Sequence, residues 1–261
     1  MSDRFYDAGA AGYDQICGFA CLEFVPTLLR MARIAPGQNV LDVATGTGNT
    51  AEAIGGLVGP SGSVMATDIS AGMLDEARKR LAGLSNVSFA VENGQALTLP
   101  DGCFDAVVCS MAMMMFPDHT KGLSEFYRVI KSGGRAAISV TANAERSFYA
   151  PIRNAIVRHI PRDTSVPAYR YVLGDQQYLS SVFINAGFRD VETTVEVRQF
   201  PFETFGAFFD PIDQGIGHMG QEFVGLPADV RKLVREDVRR ALDAVARGRP
   251  YRYHCALPRA G

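Results

Sequence analysis

The chain has 261 residues, with 26 Lys+Arg against 28 Asp+Glu, a formal net charge of −2, 47% hydrophobic and 21% charged residues. That apolar share excludes a disordered or collagen-like chain. The near-neutral balance leaves no electrostatic footprint for binding nucleic acid.

In chain order, residues 1–37 read as an N-terminal helical cap. Val40-Leu41-Asp42-Val43-Ala44 reads as a buried strand, Thr45-Gly46-Thr47-Gly48 as a turn, and Asn49 to Val58 as a helix. Ser63 to Asp68 is a second strand. Ser70 then precedes Met73, Leu74, Ala77 and Leu81, which share one helix face. Val87 to Val91 and Phe104 to Cys109 are the third and fourth strands, followed by a helix from about Lys121 to Ile130. Lys131-Ser132-Gly133-Gly134 reads as a turn before a fifth strand, Arg135 to Val140. Apolar strands alternating with helices imply a parallel sheet covered on both faces.

Beyond residue 145 the pattern changes. Ser147 to Ile160 and Tyr178 to Ala186 read as helices, Val191 to Val197 as a strand, and Val230 to Val245 as a helix ended by Gly248 and Pro250. Tyr251 to Leu257 reads as a final strand.

No stretch reaches the roughly 18–20 apolar residues of a membrane span; the longest candidate, Cys103 to Phe116, is broken by Asp105 and Ser110. Met1-Ser2-Asp3-Arg4 lacks the pattern of a signal peptide. The five cysteines (Cys17, Cys21, Cys103, Cys109 and Cys255) are odd in number and show no CxxC spacing. They read as reduced thiols, with no metal site and a cytoplasmic location as the expectation.

The central signal is the run from Asp42 to Ala51, in which Gly46, Gly48 and Ala51 satisfy G-x-G-x-x-G/A. The glycines let a strand turn sharply into a helix while a ligand approaches the backbone. Asp68, at the end of the next strand, can accept hydrogen bonds from both hydroxyls of a ribose. Dinucleotides and S-adenosylmethionine both carry one. Asp42 separates the two: a carboxylate near that turn repels a pyrophosphate and suits an ammonium-bearing ligand.

The stretch resembles class I S-adenosylmethionine-dependent methyltransferases, especially the small-molecule group that includes the ubiquinone/menaquinone C-methyltransferases. The resemblance spans roughly residues 38–141. It rests on Val40 to Gly48, Ala66 to Leu74 around Asp68, Leu97 to Asp105, and Glu125 to Arg135. It implies an α/β fold: a Rossmann-like, doubly wound, mostly parallel seven-stranded sheet with helical lid insertions. The expected organisation is a single domain over 1–261, with the cofactor-binding core at 38–141 and lid insertions plus completion of the sheet at 142–261.

The resemblance implies S-adenosylmethionine as cofactor. Ala44, Thr45, Gly46 and Gly48 would line its methionine end near Asp42, and Asp68 would hold the ribose. Ile69 and Met73 would pack on adenine, and Asn93, Gly94 and Gln95 would meet its amino group. Ala44 replaces a common Gly, a mild departure. Cys109, Ser110 and Met111 would lie near the transferring methyl, and Tyr13 would fold over the cofactor.

Methyl transfer from a sulfonium is an in-line displacement, and it needs a base only if the acceptor is not already nucleophilic. Cys109 to Phe116 lacks the Asn/Asp-Pro-Pro-aromatic tetrad used on flipped bases, and the paired glutamates of arginine methyltransferases are missing. His119, His159 and His218 are the base candidates. Met111, Met114 and Met115, with Phe148, Tyr149 and Phe205, are expected to line a pocket for a small aromatic or polyketide-like acceptor. Of the 25 aromatics only five fall between residues 40 and 140; those in the flanks can stack on a substrate, bury each other or form a homodimer surface. The alternatives are a nicotinamide-dependent oxidoreductase and a protein that binds S-adenosylmethionine without transferring its methyl.

Overall fold

The computed structural model describes residues 7, 10–15, 17–142, 147, 149–160, 168–246 and 251–260. After a 3-10 turn at Ala10–Gln15 come helices α1 (Cys17–Leu22) and α2 (Val25–Met31). The core then runs β1 (Asn39–Val43), α3 (Asn49–Val58), β2 (Ser63–Asp68), α4 (Ala71–Arg80), β3 (Val87–Val91), β4 (Phe104–Ser110), α5 (His119–Val129) and β5 (Ile130–Ser139). The remainder is α6 (Ala150–His159), α7 (Gln176–Asn185), β6 (Thr193–Phe202), α8 (Phe205–Asp213), α9 (Gly217–Val224), α10 (Ala228–Ala246) and β7 (Tyr251–Ala260).

The strand order is β3-β2-β1-β4-β5-β7-β6. The first five strands are parallel. β7 joins β5 antiparallel through Ile138↔Ala260 and Ser139↔Arg259, and pairs with β6 along ten residues. The order reverses between β1 and β4, so a crevice opens at the carboxyl ends of these two neighbours, the place where open α/β sheets bind ligands.

Side-chain alternation divides the core. Val40, Val64, Ala66, Ala106 and Val108 pack beneath α2 and α3. Leu41, Val43, Val107, Cys109 and Ile138 pack beneath α5 and α7. A third cluster comes from the flanks: Phe24, Ile152, Phe200, Phe202, Phe208, Phe209, Phe223 and Val238.

Local chemistry sets the helix starts. Ser70, Asp118, Asp175 and Thr204 each accept a hydrogen bond from a first-turn N–H of α4, α5, α7 and α8. α6 starts at Ala150, three residues later than the periodicity predicts, because Pro151 belongs in the first turn, where no N–H is needed. The expected turn at Lys131–Gly134 is instead a bulge inside β5. Phe104 pairs with Ile130 but Ala106 with Arg135, and Gly133 takes φ +82°.

Two of the stretches that carry the resemblance hold each other. Arg128 of α5 donates to the carbonyls of Leu97 and Leu99 at 2.9 and 2.8 Å, and Glu125 accepts the Leu97 N–H at 2.8 Å. The connection from β3 to β4 is thereby stapled to α5.

Candidate cofactor site and acceptor cluster

The loop after β1 is built on left-handed backbone. Ala44, Gly46 and Gly48 have φ of +57°, +58° and +88°. Gly48 has little room for a side chain, since a Cβ there would lie 3.0 Å from Leu81 and 3.1 Å from Ala77. Ala44 is not the mild replacement its sequence suggests, because the left-handed region is unfavourable for any residue with a Cβ.

Asp42 lies under this loop, wholly buried, on the α3 side of the sheet. One carboxyl oxygen accepts the Thr45 hydroxyl at 2.6 Å, and Oδ1 has no hydrogen-bond partner among the described residues. Burial pushes its pKa up to about 7, against the pull of the Thr45 hydroxyl, with nearby Asp68 adding to the rise. Asp68 ends β2, where its carboxylate accepts the Gly46 and Ser70 N–H groups, both at 2.9 Å. Burial raises its pKa too. Two carboxylates held close in a water-poor crevice, one with an orphaned oxygen, favour a cationic, hydroxyl-bearing ligand over an anionic one.

The N-terminal segment closes over this loop. The Tyr13 ring comes within 4.0 Å of where a Gly46 Cβ would sit. Asp14 accepts from the Thr47 hydroxyl at 2.7 Å and from Asn49 Nδ2 at 2.9 Å, and pairs with Arg80. Arg80 also donates to the Thr47 carbonyl at 2.9 Å. Asp7 accepts from the Ser70 hydroxyl and the Gly72 N–H, which ties the chain start to α4. Sequence reasoning missed Asp14 and Arg80 as clamps. The Tyr13-Asp14 pair was the available signal, but its partners lie 33 and 66 residues away.

Beside Asp68, Ile69 is 39% exposed and Met73 is buried. Asn93 Oδ1 accepts the Gln95 N–H at 3.0 Å, and Gln95 Oε1 accepts the Asp118 N–H at 2.7 Å. Glu92, unnoticed in sequence, holds the same loop through the Thr98 N–H and hydroxyl. Gly94 is a packing glycine: a Cβ would come within 2.5 Å of the Phe116 ring.

Several expected site residues point elsewhere. The Cys109 side chain is buried in the α5-side core. Ser110 lies on the opposite face, and its hydroxyl has no partner among the described residues. The methionines divide. Met111, at φ +55°, packs against the flank cluster, whereas Met114 packs on the α5-side core and receives the Thr141 N–H at its sulfur. Met115 is half-buried.

His119 is buried on the inward stripe of α5 with Leu123 and Phe126, and burial lowers its pKa. His159 is bonded to Asp237 at 3.1 Å, in the seam between α6 and α10. Phe205 stacks on Phe209 at 5.1 Å and is overlain by Arg239 at 4.4 Å. Tyr149 stays with the flank cluster near Tyr13. Phe148 and the His218 side chain lie outside the described residues.

Among the described residues no group of three or more His, Cys, Asp or Glu could hold a metal, and no helix is long and apolar enough to cross a membrane.

The sequence model of the ubiE/COQ5 methyltransferase family matches residues 26–196, well over half the chain. The chain belongs to this family. S-adenosylmethionine is therefore the cofactor, and the Asp42 oxygen without a partner among the described residues, the Asp68 carboxylate and the glycine backbone fit its cationic and ribose parts. The nicotinamide alternative fails on this family match, and a pyrophosphate at the turn would face the Asp42 carboxylate.

This methyltransferase is 31% identical over 181 residues to the ubiquinone/menaquinone biosynthesis C-methyltransferase UbiE of Hydrogenovibrio crunogenus, covering 63% of this chain and 70% of that one. Against UbiE of Stenotrophomonas maltophilia identity is 37% over 124 residues, 46% of this chain and 49% of the relative, so the chain matches about half that relative's length. The YcgJ protein of Bacillus subtilis shares the fold, with a TM-score of 0.58 at 20% identity over 91% of this chain and 97% of that one.

Proposed function

We propose that this methyltransferase methylates a small, flat, apolar metabolite bearing a ring oxygen, at the ring carbon or the oxygen. One observation carries the reading. Tyr13 lies against Gly46 of the loop after β1 and, with Met111, packs on the apolar flank cluster of α6, α8, α9 and β6. The names of the UbiE relatives add support for carbon methylation.

Bound S-adenosylmethionine supplies an electrophilic methyl group. The chain's own part is to hold and enclose it. Asp68 takes the ribose hydroxyls and Asp42 faces the positive end. Asp14 locks the N-terminal segment over the loop, and Tyr13 excludes water from it. The described parts of residues 7–30, 147–178 and 200–228 serve as cover for the acceptor, whose stacking partners come from the flank aromatics. His119 is buried in the α5-side core and His159 is bonded to Asp237, so an acceptor that arrives already nucleophilic suits these described residues.

The test is incubation with methyl-labelled S-adenosylmethionine and a panel of phenols, hydroquinones and naphthohydroquinones. Label should appear in at least one. Calorimetric binding of the cofactor with no label transferred to any acceptor would favour a non-transferring binder instead.

A further inference from the structure

Inside the apolar flank cluster lies one polar spot. Cys17, at the start of α1, and Tyr149, just before α6, share a hydrogen bond between Sγ and the phenol oxygen, 132 residues apart in sequence. Gly217, the first residue of α9, presses against them. At φ +67° its missing Cβ would lie 2.6 Å from Cys17 Sγ and 3.9 Å from the Tyr149 oxygen. Three separate elements thus converge on this pair, with Phe24, Ile152 and Met219 among the surrounding side chains.

The spot adjoins the cofactor loop. Tyr13 reaches from Gly46 toward it and interacts electrostatically with Cys21, Cys17 and Asp68. Met111, just past β4, packs on the same cluster. Two phenols and two thiols therefore gather at the boundary between cofactor loop and acceptor cluster. Burial pushes the Cys17 thiol up to about 12, and the Tyr13 and Tyr149 hydroxyls well above their ordinary range. Groups held neutral in this way donate hydrogen bonds and do not take protons.

We propose that Tyr149 is a specificity-determining residue that donates its hydroxyl hydrogen to an oxyanion of the acceptor, selecting a phenolate or enolate, with Cys17 donating to the Tyr149 oxygen from behind to aim it. The acceptor gives its proton to water before it binds. This rests on the methyltransferase reading above and adds the ionisation state of the substrate. An oxyanion is already nucleophilic, so this acceptor needs no general base. Charge-assisted donation to an oxyanion is about twice as strong as the neutral bond, so the preference for the ionised form resides in this contact.

The probe is 4-nitrophenol, whose colour reports its ionisation, added to the full chain loaded with S-adenosylhomocysteine. The bound phenol should ionise about one pH unit or more below the free phenol. Tyr149→Phe should abolish that shift and weaken phenolate binding about tenfold, while neutral phenol binds within about twofold of wild type. Cys17→Ala should lose part of the shift, and it carries the test alone if Tyr149→Phe no longer binds the homocysteine product. The proposal is overturned if the phenol does not bind, if it ionises at or above its free value, or if both variants behave as wild type. Calorimetry on the same samples separates the two levels. Loss of product binding by the wild-type protein would sink the methyltransferase reading itself, whereas product binding without a pH shift sinks only the role of Tyr149.

Discussion

The Asp14 carboxylate accepts the Thr47 hydroxyl at 2.7 Å, so a residue of the N-terminal segment sits directly on the glycine loop. The same oxygen accepts Asn49 Nδ2, and the other pairs with Arg80, which itself holds the Thr47 carbonyl. The segment is thereby latched to the loop and to α4 together.

Asp14→Ala leaves two loop donors and Arg80 without this partner. Hydrogen bonds to a charged group contribute about 1.5–3 kcal/mol each, but these are shared and partly exposed, so a total of about 2 kcal/mol is expected. Amide exchange in residues 10–22 should quicken and cofactor affinity should fall about tenfold or more. Unchanged exchange in that segment would count against a latch.

Asp42 is expected to make cofactor binding pH-dependent. Its pKa of about 7 lies above an unfolded value near 4, so its contribution to stability is full below about pH 4 and is lost as pH rises through 7. The loss is on the order of 4 kcal/mol at most in the ligand-free protein. A cationic ligand reverses the preference by favouring the carboxylate, so its binding should release a proton and tighten from about pH 5 to 7, then level off. Asp42→Asn should be more stable than wild type near pH 8 in urea, yet bind the cofactor at least about tenfold more weakly. A flat affinity across that range would refute this account.

Ala44 sits at φ +57°. The left-handed region costs a residue with a Cβ about 1–2 kcal/mol, and glycine's extra unfolded-state entropy returns about 0.4–1 of it. Ala44→Gly is therefore expected to raise stability by about 0.5–1 kcal/mol in denaturant titrations. Ala44→Val, β-branched at the same φ, should lower it.

Asp237 is the hub of the α6–α10 seam, with its side chain 4% exposed and in contact with Arg158, His159 and Arg240. Burial alone would raise its pKa, but hydrogen bonds from Arg158, Arg240 and His159 outweigh that and lower it. Its stabilising contribution is thus present above the ordinary carboxyl value and lost as pH falls through its lowered one. Both arginines are largely exposed and can rehydrate, so Asp237→Ala should cost about 1–3 kcal/mol rather than the larger penalty of a stranded buried charge. His159→Gln should leave methyl transfer within about twofold of wild type. A loss of activity that follows a histidine titration would restore His159 as a base.

The parallel core was legible because its signals are local. The apolar strands, the spacing of Gly46 and Gly48, the acids near the ends of β1 and β2 and the capping Ser70 all lie within single β-α-β units, where period and turn chemistry speak directly. The bulge at Gly133 was read as a turn, since a glycine pair marks a break in the strand but not whether pairing resumes across it.

What the sequence determined by itself is the parallel core of the sheet, the glycine loop after β1 and the segregation of aromatics to the flanks. Tertiary structure alone decided which flank residues meet. His159 and Phe205 looked like site residues in the chain, but one found Asp237 and the other Phe209 and Arg239. Cys17 and Tyr149 carried no mutual signal, yet they form the polar spot in the cluster. The physical reason is distance along the chain. Alternation and helical period report which face a residue occupies, and they carry no information about which remote helix will pack on that face.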